Sequence, residues 1–196
     1  MKFRRTHTKG WLVLGIIFAF AFALWLPQEA EADMRTQDHI VDGKKITFGY
    51  EMFSPPFQIK RDAGNVTVPA LKASLRYYEL LAQGDIPGAS ALTMKPDAAK
   101  KQWDGVAKSM GGTEAFKKKM AEYFTQGMTV RGVLYYQNAA VLLVDNPDMG
   151  VMMTQSFVCQ KDGGCLLDDT RETEAARMLS GRVAGDIRNE KLKLPF

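Results

Sequence analysis

Two cysteines, Cys159 and Cys165, bracket Gln160-Lys161-Asp162-Gly163-Gly164, and the flanks over 155–158 and 166–167 have the apolar character of strands. Such a pattern is a hairpin with a glycine-rich loop. Cysteines opposed on adjacent strands meet disulfide geometry, and the bond persists in an oxidising compartment. Closing so short a loop fixes hairpin register more than it holds a whole fold. A redox or metal pair would call for CxxC spacing or a second Cys/His cluster, and the sequence offers neither. No metal site is expected.

Acid–base chemistry has few carriers. The histidines are His7 and His39, one in the basic head of the chain and one ahead of the main run of helices. Among carboxylates, Asp85 stands at a helix junction, where an N-cap is its simplest role. Asp145 flanks a turn containing Pro147, a place where Asp serves local hydrogen bonding. Asp168 and Asp169 are adjacent on a strand end, so they point to opposite faces and form no acid–base pair without a bulge. On the strand over 128–137, Thr129, Arg131, Val133, Tyr135 and Gln137 share one face by strict alternation, while Met128, Val130, Gly132, Leu134 and Tyr136 share the other, which looks like core. If the first face lines a cavity, Arg131 and Tyr135 orient an anionic or aromatic ligand; otherwise it is a half-wet sheet face that meets solvent or a partner. An enzymatic alternative, a small-molecule lyase or isomerase, would use Asp85 or Asp145 with Tyr135. Met149, Met152 and Met153 bring Cu(I) to mind, yet Met152 and Met153 point to opposite sides of a strand and no His accompanies them. Neither Gly111-Gly112 nor Gly163-Gly164 continues into the Lys-Ser/Thr of a phosphate loop. No cofactor is expected.

The elements that hold these residues follow an export signal. Lys2, Arg4, Arg5 and Lys9 precede an apolar run over 11–26, and Ala30-Glu31-Ala32 supplies a small-x-small site. The expectation is a signal peptide over residues 1–32, cut after Ala32, with an uncleaved signal anchor spanning 11–26 as the alternative. The protein is then periplasmic or secreted, or anchored at the inner membrane, and touches membrane only through 11–26 if that segment stays. The first 32 residues hold four of the 26 basic and two of the 22 acidic residues, so a net charge of +4 falls to +2 beyond them. So balanced a domain carries no nucleic-acid signature. The runs Lys100-Lys101 and Lys117-Lys118-Lys119 read as solvated helix faces.

Residues 33–66 read as an N-terminal arm with one strand over 45–53, where Ile46, Phe48, Tyr50 and Met52 alternate with Thr47, Gly49 and Glu51 until Ser54-Pro55-Pro56 intervenes. A cone-like α+β domain is expected over 67–178. Thr67 and Pro69 open a first helix with Leu71, Leu75, Tyr78 and Ala82 on one face, and Gly84 closes it. Helices follow over 86–92, over 98–110 with Trp103, Val106, Ala107 and Met110 on one side, and from Thr113, with Phe116, Met120, Tyr123 and Phe124 apolar. After Gly127 the period changes to 2, giving strands over 128–137, 139–145, 151–159 and 165–168 joined by short turns, an antiparallel meander. Helices then strands argue α+β, with helices packed on one face of a curved antiparallel sheet. One more helix fits 170–178, and 179–196 reads as a polar C-terminal tail.

The block Tyr77-Tyr78-Glu79-Leu80-Leu81-Ala82-Gln83-Gly84-Asp85-Ile86-Pro87-Gly88-Ala89 resembles the opening of the nuclear transport factor two-like (SnoaL-like) superfamily. There a first helix ends in Gly-Asp, a short second helix starts at once, and later strands form a cone-shaped half barrel. The resemblance covers about residues 68–169. It implies the cone-like fold, and a choice among small-molecule isomerases and dehydratases with Asp or His in the cone, binding modules, and periplasmic assembly domains. A His-based cone is excluded here unless the arm carries His39 into its mouth. The expected function is therefore an exported, non-enzymatic binding or assembly domain of the bacterial envelope, acting through a protein partner or a small apolar ligand. Tyr50, Phe53 and Phe57 on the arm suit strand addition or docking.

Overall fold

The computed structural model describes residues 34–59, 66–126, 128–146 and 150–194. The leader, the Arg61–Asn65 stretch and Asp148 with its turn lie outside the described residues. Six strands form one antiparallel meander in chain order: β1 (Arg35–Val41), β2 (Lys44–Gln58), β3 (Thr129–Tyr136), β4 (Ala139–Asn146), β5 (Val151–Cys159) and β6 (Cys165–Leu167). The sheet curls into a half barrel, and α1 (Pro69–Gln83), α2 (Ile86–Ala91), α3 (Pro96–Ser109) and α4 (Thr113–Gln126) enter between β2 and β3. This is the expected α+β class, helices on a curved antiparallel sheet.

Local chemistry sets the helix boundaries. Pro69 opens α1, where a missing N–H costs nothing. Gly84 ends it with φ 79°, its N–H returned to the carbonyls of Leu80 and Leu81. The N-cap position is Val68, without a side-chain cap, rather than the expected Thr67. Asp85 caps α2 by accepting from the Gly88 N–H at 2.9 Å. Helix α3 buries Ala99 and Ala107, but Met110, expected on its apolar side, is 43% exposed just past its end.

The helices cover the concave face. Leu71, Leu81 and Phe116 meet Val130, Val133, Leu142 and Phe157 from the sheet, all buried at 1% exposure or less. Each 0%-exposed large side chain there contributes on the order of 1.5–3 kcal/mol of transfer free energy.

The opposite face is not left to solvent. The chain after β6 folds back across it as α5 (Glu174–Arg177), a π-helical segment (Met178–Val183) and α6 (Ala184–Arg188). Leu179, Val183 and Ala184 are fully buried against Phe48, Tyr50, Leu134, Val141 and Leu143, and Leu192 and Leu194 extend the layer. The expected polar tail over 179–196 is thus corrected: its described part is half of a second core. The reversal is tied down by Asp168, whose buried carboxylate accepts from the Glu172 N–H at 3.0 Å and from the Thr173 N–H and hydroxyl at 3.4 Å.

The expected arm also differs. It holds two strands, and β2 runs on through Ser54-Pro55-Pro56 to Gln58, with a register shift between Met52 and Phe57 that absorbs the prolines. Gly132 of β3 lies so close to β2 that a Cβ there would collide with the Glu51 carbonyl and the Met52 sulfur.

Candidate functional site

The concave interior is the place where a cone-type fold would hold a ligand, and here it is filled by side chains. Several of its polar groups satisfy one another. The Ser74 hydroxyl donates to Gln155 Oε1 at 2.6 Å, Gln155 Nε2 donates to the Tyr78 hydroxyl at 3.5 Å, and Trp103 Nε1 donates to the Tyr77 hydroxyl at 2.6 Å. Tyr78 packs edge-on against Tyr77 and near Tyr123, with ring centroids 5.5 and 6.5 Å apart. Burial pushes the Tyr77 phenol up to about 12 and Tyr78 further up. Both phenols stay neutral at physiological pH, so this layer is packing with internal hydrogen bonds.

The residues singled out for chemistry are dispersed. Asp85 is spent on the α2 cap. Asp145 accepts from Arg131 Nε at 2.6 Å in a largely exposed pair. Arg131 and Tyr135 were expected on one face, but the register between β3 and β4 shifts between Val130 and Gly132, making Arg131 the bulged residue. Val130, Val133 and Tyr135 consequently join the concave core, whereas Arg131 goes with Asp145, in line with Leu143 on the other face. They form no shared ligand site, and Asp85, Asp145 and Tyr135 form no shared catalytic one. Alternation read across a bulge inverts every later side chain.

His39 is settled by register. It faces Ile46 across β1–β2, on the side covered by the C-terminal segment, and its Nε2 lies 2.8 Å from Asp186 Oδ2. It does not enter the cone. Cys159 and Cys165 are register partners joined by a disulfide, S–S 2.06 Å. Met152 and Met153 take opposite sides, Met152 against the C-terminal layer and Met153 exposed at 42%. Among the described residues no group of three or more His, Cys, Asp or Glu is placed to hold a metal ion, and no helix is long and apolar enough to cross a membrane.

An open depression lies at the turn after β6, lined by Thr170, Arg171, Glu172, Arg177 and Gly181. Its carboxylate is already taken: Glu172 is paired with Lys95, which holds the Glu172 carboxyl below and the Lys95 ammonium above their ordinary ranges.

The start of β5 is partly bare, with Val151 45% and Met153 42% exposed, and the β1–β2 end of the sheet is barer still. The residues Thr36, Asp38 and Ile40 of β1 face Gly49, Thr47 and Lys45 of β2 on the concave side, beyond the reach of the helices. Asp38 accepts from Thr47 at 2.6 Å and pairs with Lys45 at 2.7 Å, which holds its carboxyl below the usual range. Ile40 is 67% and Met34 66% exposed, and the Met34 sulfur lies over Gly49. At the inner margin Tyr135 hydrogen-bonds the Glu51 carboxylate, whose protonation range burial pushes up.

The two outer strands differ. The edge of β6 is closed by the segment after α2: the Leu167 N–H donates to Leu92 and the Leu167 carbonyl accepts from Met94, each at 2.8 Å. Among the described residues strand β1 pairs only with β2, and its outward backbone groups meet no other strand. Sequence reading missed β1 because its exposed edge and half-bare faces leave Arg35-Thr36-Gln37-Asp38-His39 without apolar alternation. The usable signal was Asp42-Gly43 between Val41 and Lys44, a two-residue hairpin turn with both residues at positive φ.

No family model, curated protein or solved structure matches this chain.

Proposed function

We propose that this chain is an exported assembly domain of the bacterial envelope that takes a protein partner along the open edge of β1 and the bare sheet face beside it. The observation that carries this reading is the contrast between the two outer strands: β6 is bridged at Leu167 by Leu92 and Met94, while among the described residues β1 has no second strand partner and only its Asp38 carbonyl is met, by Gln37 Nε2 at 3.0 Å. Extended segments add to such edges through main-chain hydrogen bonds, with alternate side chains giving specificity. A filled concave interior disfavours a small-ligand or enzymatic reading, because a ligand cavity needs volume and converging polar groups. The Cys159–Cys165 bond agrees with an oxidising compartment, and the basic head with its apolar run accounts for export. The cone-like architecture is in keeping with membership of the nuclear transport factor two-like superfamily, whose assembly domains work outside the cytoplasm.

Site-specific photocrosslinking of the full chain in living cells tests this. A crosslinker replacing Thr36 on β1 should yield a discrete protein adduct, and one replacing Lys101 on α3 should not. Adducts from Lys101 alone, or none from Thr36, would overturn the reading.

A further inference from the structure

We infer that the occupant of the β1 edge is a second copy of this chain, with β1 pairing antiparallel to β1 about a two-fold axis at Gln37, so that two six-stranded sheets become one continuous sheet. This rests on the reading of β1 as a protein-binding edge and adds the identity of the partner.

The side chains of β1 select the register. With the axis at Gln37, Met34 stands opposite Ile40, Arg35 opposite His39, Thr36 opposite Asp38, and Gln37 opposite itself. Facing residues in an antiparallel pair share a side of the sheet. Met34, Thr36, Asp38 and Ile40 therefore stay together on the bare face, and Arg35, Gln37 and His39 on the face of the C-terminal layer. Ile40 of this strand and Met34 just before it, both strongly exposed, cover each other twice, once at each end of the interface. Arg35 makes no ion pair among the described residues, and in this register Arg35 of the second copy arrives beside the His39–Asp186 pair, 2.8 Å apart and partly exposed, where a cation complements the Asp186 carboxylate. Moving the axis to Asp38 would set Asp38 against Asp38, a like-charge opposition. Moving it to Thr36 would set Met34 against Asp38.

Native sheets blunt solitary edges with charged side chains, proline, bulges, very short strands or covering loops; among the described residues β1 has the charges of Arg35 and Asp38 but none of the other devices. Strand β1 is 7 residues long, without proline, and its pairing with β2 runs from Arg35↔Tyr50 to Val41↔Lys44 without a register shift. Its acidic residue Asp38 is engaged on the bare face by Lys45 and Thr47. A two-fold pairing uses the β1 edge of both copies, so it closes on itself as an isologous dimer rather than a fibre.

The test uses the chain purified as exported, without reductant, by sedimentation over a wide concentration range. The wild type should reach a dimer. Ile40→Lys should be monomeric while unfolding like the wild type at concentrations where both are monomeric, since Ile40 is exposed, and Met34→Asp combined with Ile40→Lys should restore the dimer through two crossed ion pairs. Gln37→Cys should give a disulfide-linked dimer at the axis, whereas Thr36→Cys, offset from its own copy, should crosslink far less. A wild type that stays monomeric throughout, an Ile40→Lys variant that still dimerises, or a double variant that fails to recover overturns the pairing. If the purified chain is monomeric while β1 crosslinks to a different protein in cells, self-pairing falls and the edge reading stands. If β1 crosslinks to nothing in cells, the edge reading itself falls.

Discussion

Strand β4 and the C-terminal half of β5 are covered on both faces, by α1–α4 on one side and by the C-terminal segment on the other, whereas β1 and the first half of β2 are covered on one face and bare on the other. In the closed half, Leu142, Leu143 and Phe157 are fully buried, and the short edge strand β6 is bridged at Leu167 by Leu92 and Met94. The open half keeps one apolar layer, Val41, Ile46 and Phe48 against the C-terminal segment, and turns the rest of its surface outward. The difference separates two tasks in space: the closed half holds the fold, and the open half is free to meet a partner. Changes in the first should therefore cost stability, and changes in the second should cost association.

The largest effect should come from the closed half. Phe157→Ala removes a fully buried ring from the centre of β5 and should cost about 3–5 kcal/mol in denaturant unfolding; a loss below about 1 kcal/mol would mean that the concave core is looser than its burial implies. Next is Leu179→Ala in the π-helical segment, expected to cost about 3 kcal/mol. Were that variant as stable as wild type, the second core would be dispensable and the comparison would lose one of its two layers. Replacing both Cys159 and Cys165 by Ser should cost about 2 kcal/mol, because the bond spans a sequence separation of only 6. Thermal unfolding with and without reductant checks this value.

The smallest effect lies at the margin between the halves. Burial raises the Glu51 protonation range above its unfolded value, only partly offset by the Tyr135 hydrogen bond. A carboxyl shifted upward favours folding below the unfolded range, and that contribution disappears as pH rises through the folded one. Glu51→Gln should therefore be slightly more stable than wild type at neutral pH, with the gap closing on acidification. A variant less stable at neutral pH would show that the Tyr135 bond outweighs desolvation.

Much of the closed half was legible from residue order. The β5 bounds, the cysteine hairpin, the Gly84 and Asp85 boundary and the switch from period 3.6 to 2 all follow from strong local chemistry that tertiary packing reinforces. The failures have physical causes. A bulge at Arg131 adds one residue, so strict alternation assigned Arg131 and Tyr135 to the same face. In the C-terminal segment, Leu179, Val183 and Ile187 recur at helical spacing, but Gly181, Gly185 and the charged residues between them hid a stripe that is narrow because it packs on a single sheet face. Strand β1 was hidden for the reason that makes it the candidate site: an edge with one bare face has few apolar residues to announce it.

Segment-resolved amide hydrogen exchange, dilute and concentrated, separates the two halves most directly. The β3 and β4 amides should stay protected at both concentrations, while the outward-facing amides of β1 should exchange fast when dilute and slow when concentrated. Amides of β1 that are equally fast at both concentrations, or already as slow as those of β4 when dilute, would contradict that separation.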